Sequence, residues 1–132
     1  DTRAIVYNWE FMAKYLDDIG AIAPVAMLAH TWAHLAQDLL GRLDGTYDDL
    51  AIDVQADCYA GAFVAFAEEQ GTISGDFMGK VEKMYTSGAE TDSPWFDPAT
   101  TGAPEERFAA FTNGYNEGPA RCDRYTPGSM NW

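Results

Sequence analysis

Along this chain apolar residues recur mainly at the three- and four-residue spacings of helices. Trp9, Met12, Ala13 and Leu16 mark a first helix from Trp9 to Ile19, stopped by Gly20. A second runs from Pro24, which suits a first helical turn, to Leu40, with Gly41 as its stop. Its apolar set (Val25, Leu28, Ala29, Trp32, Leu35, Ala36, Leu39, Leu40) is broad enough to predict a central helix, with Trp32 in the core. The 41–49 segment is polar and turn-rich. Asp48 or Asp49 then caps a third helix that continues to about Glu69 and ends at Gly71. A fourth helix is predicted from about Gly75 to Thr86 with Ser74 as its cap. A long loop follows from Ser87 to Gly102. Pro104-Glu105-Glu106 has the composition of a first turn and opens a last helix through Tyr115. Only Ala4 to Tyr7 is β-prone, enough for one edge strand. The pattern predicts a single, mainly α domain over residues 1–132 with at most a vestigial strand, an α+β remnant.

Composition narrows the partners. Of 132 residues, 47% are hydrophobic, which fits a packed globular fold. The longest apolar stretch, Ala21 to Ala29, is interrupted by Pro24, so no membrane span is expected. The chain opens at Asp1 with no visible signal peptide, which leaves a processed or truncated start open. Eight basic residues against 21 acidic ones give a net charge of −13. A nucleic-acid or anionic-membrane partner needs a basic surface and is disfavoured. The acidity reads first as solubility, with a basic protein partner as the alternative. The two cysteines, Cys58 and Cys122, are either inert buried thiols or one disulfide. A disulfide closing a loop of this length is worth roughly 4 kcal/mol in the chain-entropy model.

The chemistry concentrates in His30-Thr31-Trp32-Ala33-His34. Histidines four apart on a helix share a face and can reach one metal ion. The zinc-protease pattern H-E-x-x-H puts a glutamate after the first histidine as general base. Thr31 stands there instead, and its hydroxyl is a poor proton acceptor at neutral pH. On the next helix Asp53 and Asp57 are again four apart and share a face. Without a metal, the two histidines are core residues satisfied by these carboxylates.

In these blocks the chain resembles the bacterial neutral zinc metallopeptidase family. That family joins a helix of pattern A-H-E-(W/Y/F)-G-H-x-x-Q to one of pattern E-x-Q-A-D-C-x-A-G. The matching residues are Ala29, His30, Trp32, His34 and Gln37, then Gln55, Ala56, Asp57, Cys58, Ala60 and Gly61. Glu106-Arg107, Phe111, Gly114-Tyr115, Gly118 and Cys122 resemble its closing helix and terminal cysteine. The resemblance implies a zincin-like helical domain in which His30, His34 and the carboxylate at 53 ligate zinc and Asp57 orients a ligand histidine. It also implies a Cys58–Cys122 disulfide, tying the start of the third helix to the chain end, and an extracytoplasmic location. Four positions depart from the pattern. Thr31 replaces the general base, Ala33 a glycine, and Thr101 a histidine that often precedes the closing helix. Asp53 replaces a glutamate, shortening that ligand by roughly 1.5 Å. A bond to zinc would then need backbone movement. The cofactor expected is therefore none, or a weakly held zinc.

Trp95-Phe96 sits in the Pro-flanked loop 93–98 and joins an aromatic set with Phe108, Phe111, Tyr115 and Trp132. The pair either folds back over the cleft or anchors a partner. The expectation is an inactive metallopeptidase-like protein, working as a structural or protein-binding subunit of a larger assembly. The runner-up is an active zinc peptidase with a non-standard base, Asp53 if it leaves the metal. Loss of a positioned base typically costs about 10² to 10⁴ in rate.

Overall fold

The computed structural model describes residues 3–125 of the chain. It is mainly helical, with no strand among the described residues. The helices are α1 (Trp9–Asp18), α2 (Ile22–Leu39), α3 (Asp49–Glu69), α4 (Met78–Gly88), α5 (Pro98–Thr101), α6 (Pro104–Glu117) and α7 (Pro119–Cys122). A 3₁₀ turn at Pro94–Phe96 lies between α4 and α5. Local chemistry starts several of them. Asn8 Oδ1 accepts from Phe11 N at 3.0 Å and Asp48 Oδ1 from Ala51 N at 2.7 Å, each satisfying a free first-turn amide. Ser93 and Asp97 cap the two short turns of the 87–102 segment in the same way.

α3 is the hub, packed against α2 on one side and α5, α6 and α7 on others. It is long and apolar enough to cross a bilayer by length and composition. More than half of its apolar window is buried inside the fold, as in a core helix. Its approach to α6 depends on two glycines. A Cβ on Gly61 would stand 1.9 Å from the Phe111 carbonyl oxygen, and one on Gly114 1.8 Å from the Cys58 carbonyl oxygen. The two backbones therefore touch. The main core gathers Met12, Tyr15, Met27, Val64, Val81, Met84, Phe96 and Phe111, and a smaller cluster surrounds the cysteines with Val54, Ala110 and Tyr125.

Four expectations are corrected. Residues 4–7 form no strand: Val6 is 86% exposed, and among the described residues no second strand exists to pair with it. α4 starts at Met78, because Gly75 sits at φ +105°, a left-handed conformation that a helix does not continue through. α2 begins two residues before Pro24, whose missing N–H falls in the first turn where none is needed. Trp32 is 61% exposed rather than in the core. With Leu39, Phe63 and Phe66, also exposed, it belongs to the outer faces of α2 and α3. Part of that face forms an apolar groove lined by Val25, Leu28, Ala33, Tyr59 and Phe63. Trp132 lies outside the described residues.

Candidate metal centre

α2 and α3 lie antiparallel, so His30 meets Asp57 and His34 meets Asp53. Three side-chain atoms converge. His30 Nε2 and His34 Nε2 are 3.0 Å apart, and Asp53 Oδ1 lies 3.2 Å from the first and 3.3 Å from the second. A tetrahedral ion with bonds of about 2.0 Å has its ligands separated by about 3.3 Å. The triangle has that size. Asp53, expected to fall short, reaches both histidines. His30 is buried, while His34 and Asp53 remain partly open to solvent. Two imidazoles and a carboxylate with an open side form a donor set of zinc type, so the residues fit the metal that the resemblance implies. A zinc ion there would act as a Lewis acid on a bound water or carbonyl.

Behind His30 stands a fully buried clamp. Asp57 Oδ1 lies 2.8 Å from His30 Nδ1 and accepts from the Tyr85 hydroxyl at 2.9 Å. Arg107 reaches the same carboxylate through Nε at 2.7 Å and Nη2 at 3.0 Å. Its Nη1 donates to the Trp95 carbonyl. The guanidinium also lies over the rings of Tyr85 and Phe96, at 4.9 and 5.5 Å. Burial works against charge on Asp57, but Arg107 and His30 outweigh it and hold the carboxyl below its usual range. His30 shows the mirror balance: burial pulls its pKa down, and Asp57 and Asp53 push it above the ordinary imidazole value. Burial likewise opposes the charge on Asp53, and its bonds to His30 and His34 depress its pKa strongly.

On the His34 side, Nδ1 lies 2.8 Å from Gln37 Oε1. Gln37 in turn meets Gln55, which reaches the carbonyls of Cys122 and Tyr125. Cys58 and Cys122 form a disulfide with Cα atoms 5.5 Å apart. It joins the middle of α3, not its start, to α7. Such bonds belong to oxidising compartments.

The remaining site positions are placed as follows. Thr31 Oγ1 donates to the Met27 carbonyl one turn back, at 3.0 Å, so its hydrogen is committed to the helix. Thr101 is buried and donates to the Asp97 carbonyl at 2.8 Å. The Trp95-Phe96 pair folds inward. The Trp95 ring lies 5.0 Å from His30 and covers one side of the imidazole. Phe96 is only 2% exposed, against Gly88, Tyr15 and Tyr85, and is not available as a surface anchor. Gly88 makes room for it, since a Cβ there would stand 2.5 Å from the Phe96 ring.

Sequence reasoning gave no role to Tyr85 or Arg107. A signal for Arg107 exists: it shares its helix spacing with Ala110, Phe111 and Gly114, a buried apolar stripe in which a cation needs a buried carboxylate. Scans against protein-family models, curated proteins and solved structures return no significant match.

Proposed function

We propose that this chain is a zinc-metallopeptidase-like protein that has lost peptide hydrolysis, keeps a metal at His30, His34 and Asp53, and works as a structural or protein-binding subunit outside the cytoplasm. The observation that carries the reading is the pairing of a metal-sized donor triangle with Thr31 at the base position, its hydroxyl spent on the Met27 carbonyl. Among the described residues the carboxylates bonded to the two histidines are Asp53 and Asp57. The first is a ligand, and the second is saturated by His30, Tyr85 and Arg107. Acting as ligand and as saturated clamp, neither is a carboxylate held free for general-base work, which supports the inactive reading. The Asp53-as-base alternative therefore gains no support from the geometry.

The binding half rests on a different surface from the one first expected. Trp32, Phe63 and Phe66 present apolar area on the outer face of α2 and α3, the kind of patch that marks interaction sites. The disulfide supports the extracytoplasmic assignment.

Metal analysis of purified protein, with a chelator-controlled peptide-cleavage assay, tests the reading. Stoichiometric zinc without turnover is expected, and Thr31→Glu should restore measurable chelator-sensitive cleavage. Turnover by the unaltered chain at the level of an intact zinc peptidase would overturn the inactive assignment. Protein that takes up no zinc would overturn the metal.

A further inference from the structure

The amides behind His34 have only one self-consistent orientation, and it is fixed at the disulfide. One terminal atom of Gln55 lies 3.0 Å from the Cys122 carbonyl oxygen and 3.1 Å from that of Tyr125. Carbonyl oxygens only accept, so this atom is the amide nitrogen and both its hydrogens are used. Gln55 Oε1 then faces Gln37 and must accept, at 3.0 Å. Gln37 therefore presents its own nitrogen, which also donates to the Ile52 carbonyl at 2.9 Å. Its remaining oxygen faces His34 Nδ1, which must carry the hydrogen. His34 Nε2 is left with a lone pair aimed at His30 and Asp53. Both glutamines are fully buried, so bulk water does not compete for these bonds. Asp57, an acceptor when ionised, imposes the same tautomer on His30. Two imidazole nitrogens and a carboxylate oxygen thus meet at one point, where a proton or a metal cation between them relieves the repulsion.

We propose that Gln55 and Gln37 are positioning residues through which the Cys58–Cys122 disulfide sets the metal affinity of the centre. The bond pins α7 to α3 and so holds the two carbonyls that polarise the relay. Loss of the bond loosens the turn at 122–125, which the buried Tyr125 ring and its bond to Asn113 still hold on the inner side. The amides then lose part of their fixed sense, and His34 spends part of its time with the hydrogen on the ligating nitrogen. A second tie, from Arg42 and Tyr59 to Asp123, holds the outer side of the same turn, but Asp123 is more than half exposed and the tie is weaker for it. The inference rests on the metal reading above, and its experiment separates the two.

Zinc affinity is measured by competition with a chromophoric chelator on the intact chain, on Gln55→Met, on Cys58→Ala with Cys122→Ala, and on the three changes combined. Alanines replace a chemical reductant because free thiolates bind zinc themselves. Each of the first two variants should weaken zinc by about 10-fold or more, the usual range for partners behind a ligand. The combination should be no weaker than either, because both act through the same amides. A readout independent of metal is the ¹⁵N NMR tautomer of His34 in the zinc-free protein: hydrogen on Nδ1 in the parent, a mixture in Gln55→Met. If the alanine pair fails to fold, Gln55→Met decides with the disulfide intact. An unchanged tautomer and affinity in Gln55→Met overturn the relay, and additive losses in the combination overturn its link to the disulfide. A parent protein that binds no zinc overturns the metal reading and the affinity claim with it, while the tautomer still decides the relay.

Discussion

Gly61→Ala adds one methyl group to the middle of α3 and is expected to be severely destabilising. The new Cβ would stand 1.9 Å from the Phe111 carbonyl oxygen and 2.9 Å from the Tyr115 nitrogen, both helix backbone atoms that cannot swing aside. An ordinary C···O contact is about 3.3 Å, so α6 must retreat by about 1.4 Å. α6 carries Arg107, whose Nε sits 2.7 Å from Asp57 Oδ2. A retreat of that size takes the pair beyond hydrogen-bond range. Leaving a buried charge without its partner costs about 3–5 kcal/mol, and overpacking adds about 1–3. The sum, roughly 4–8 kcal/mol, is a large part of the stability of an ordinary domain. Gly79→Ala in α4 is the control: a Cβ there meets nothing within 4 Å, and the helix preference for alanine makes the change neutral or slightly stabilising. Urea denaturation followed by circular dichroism measures both. A Gly61→Ala unfolding free energy within about 1 kcal/mol of the parent would show that α3 and α6 do not meet through their glycines.

Arg107→Met should cost about 3–5 kcal/mol by stranding the Asp57 carboxylate, and Asp57→Asn in the same chain should recover part of it. A urea-melt double-mutant cycle checks the pair, and strict additivity would refute the coupling. Burial, aided by Asp123, pushes the Tyr59 phenol up to about 12 from its ordinary 10.0. The folded state therefore holds this proton more tightly. The corresponding stability is complete below about pH 10 and is lost as pH rises through about 12. Absorbance titration at 295 nm, differenced against Tyr59→Phe, reads this directly, and a phenolate appearing at the ordinary value would contradict it. Intact mass with and without reductant should show the two-hydrogen deficit of Cys58–Cys122. Two alkylatable thiols in protein from its native compartment would refute both bond and compartment.

The parts of this molecule that were legible in the sequence are those set by spacing within one helix. His30 with His34, and Asp53 with Asp57, are each one turn apart, so their shared faces follow from helix geometry alone. The main helices, the cap at Asp48 and the first turn at Pro104 were legible for the same local reason. What depends on how helices approach one another was not. Arg107 finds Asp57 only because Gly61 and Gly114 let α6 lie against α3, and a linear pattern does not rank two glycines above ten others. Asp53 reaches the histidines because α2 and α3 lie close together at that level, a distance no spacing encodes. Ile5-Val6-Tyr7 has strand propensity, but propensity without a neighbouring strand makes no ladder. Trp32 stands exposed against expectation, while Phe96 takes the inward one of its two open alternatives. The apolar breadth of α2 gave no sign that one side would stay uncovered, and the slot that Gly88 opens for Phe96 depends on how the chain turns back after α4.

The clamp on Asp57 also imposes an order on how the centre can come into being. The donor triangle and its first hydrogen bonds lie within residues 30–57, so they can form as soon as α2 and α3 have left the ribosome and paired. The parts that lock it arrive much later in synthesis: Arg107 is 50 residues beyond Asp57, and Cys122 is 64 beyond Cys58. During that interval a half-made chain carries an open nest of nitrogens and oxygens with nothing holding its rear wall. At the proposed centre, metal capture could therefore precede closure, because the donors are in place before Arg107 and Cys122 arrive.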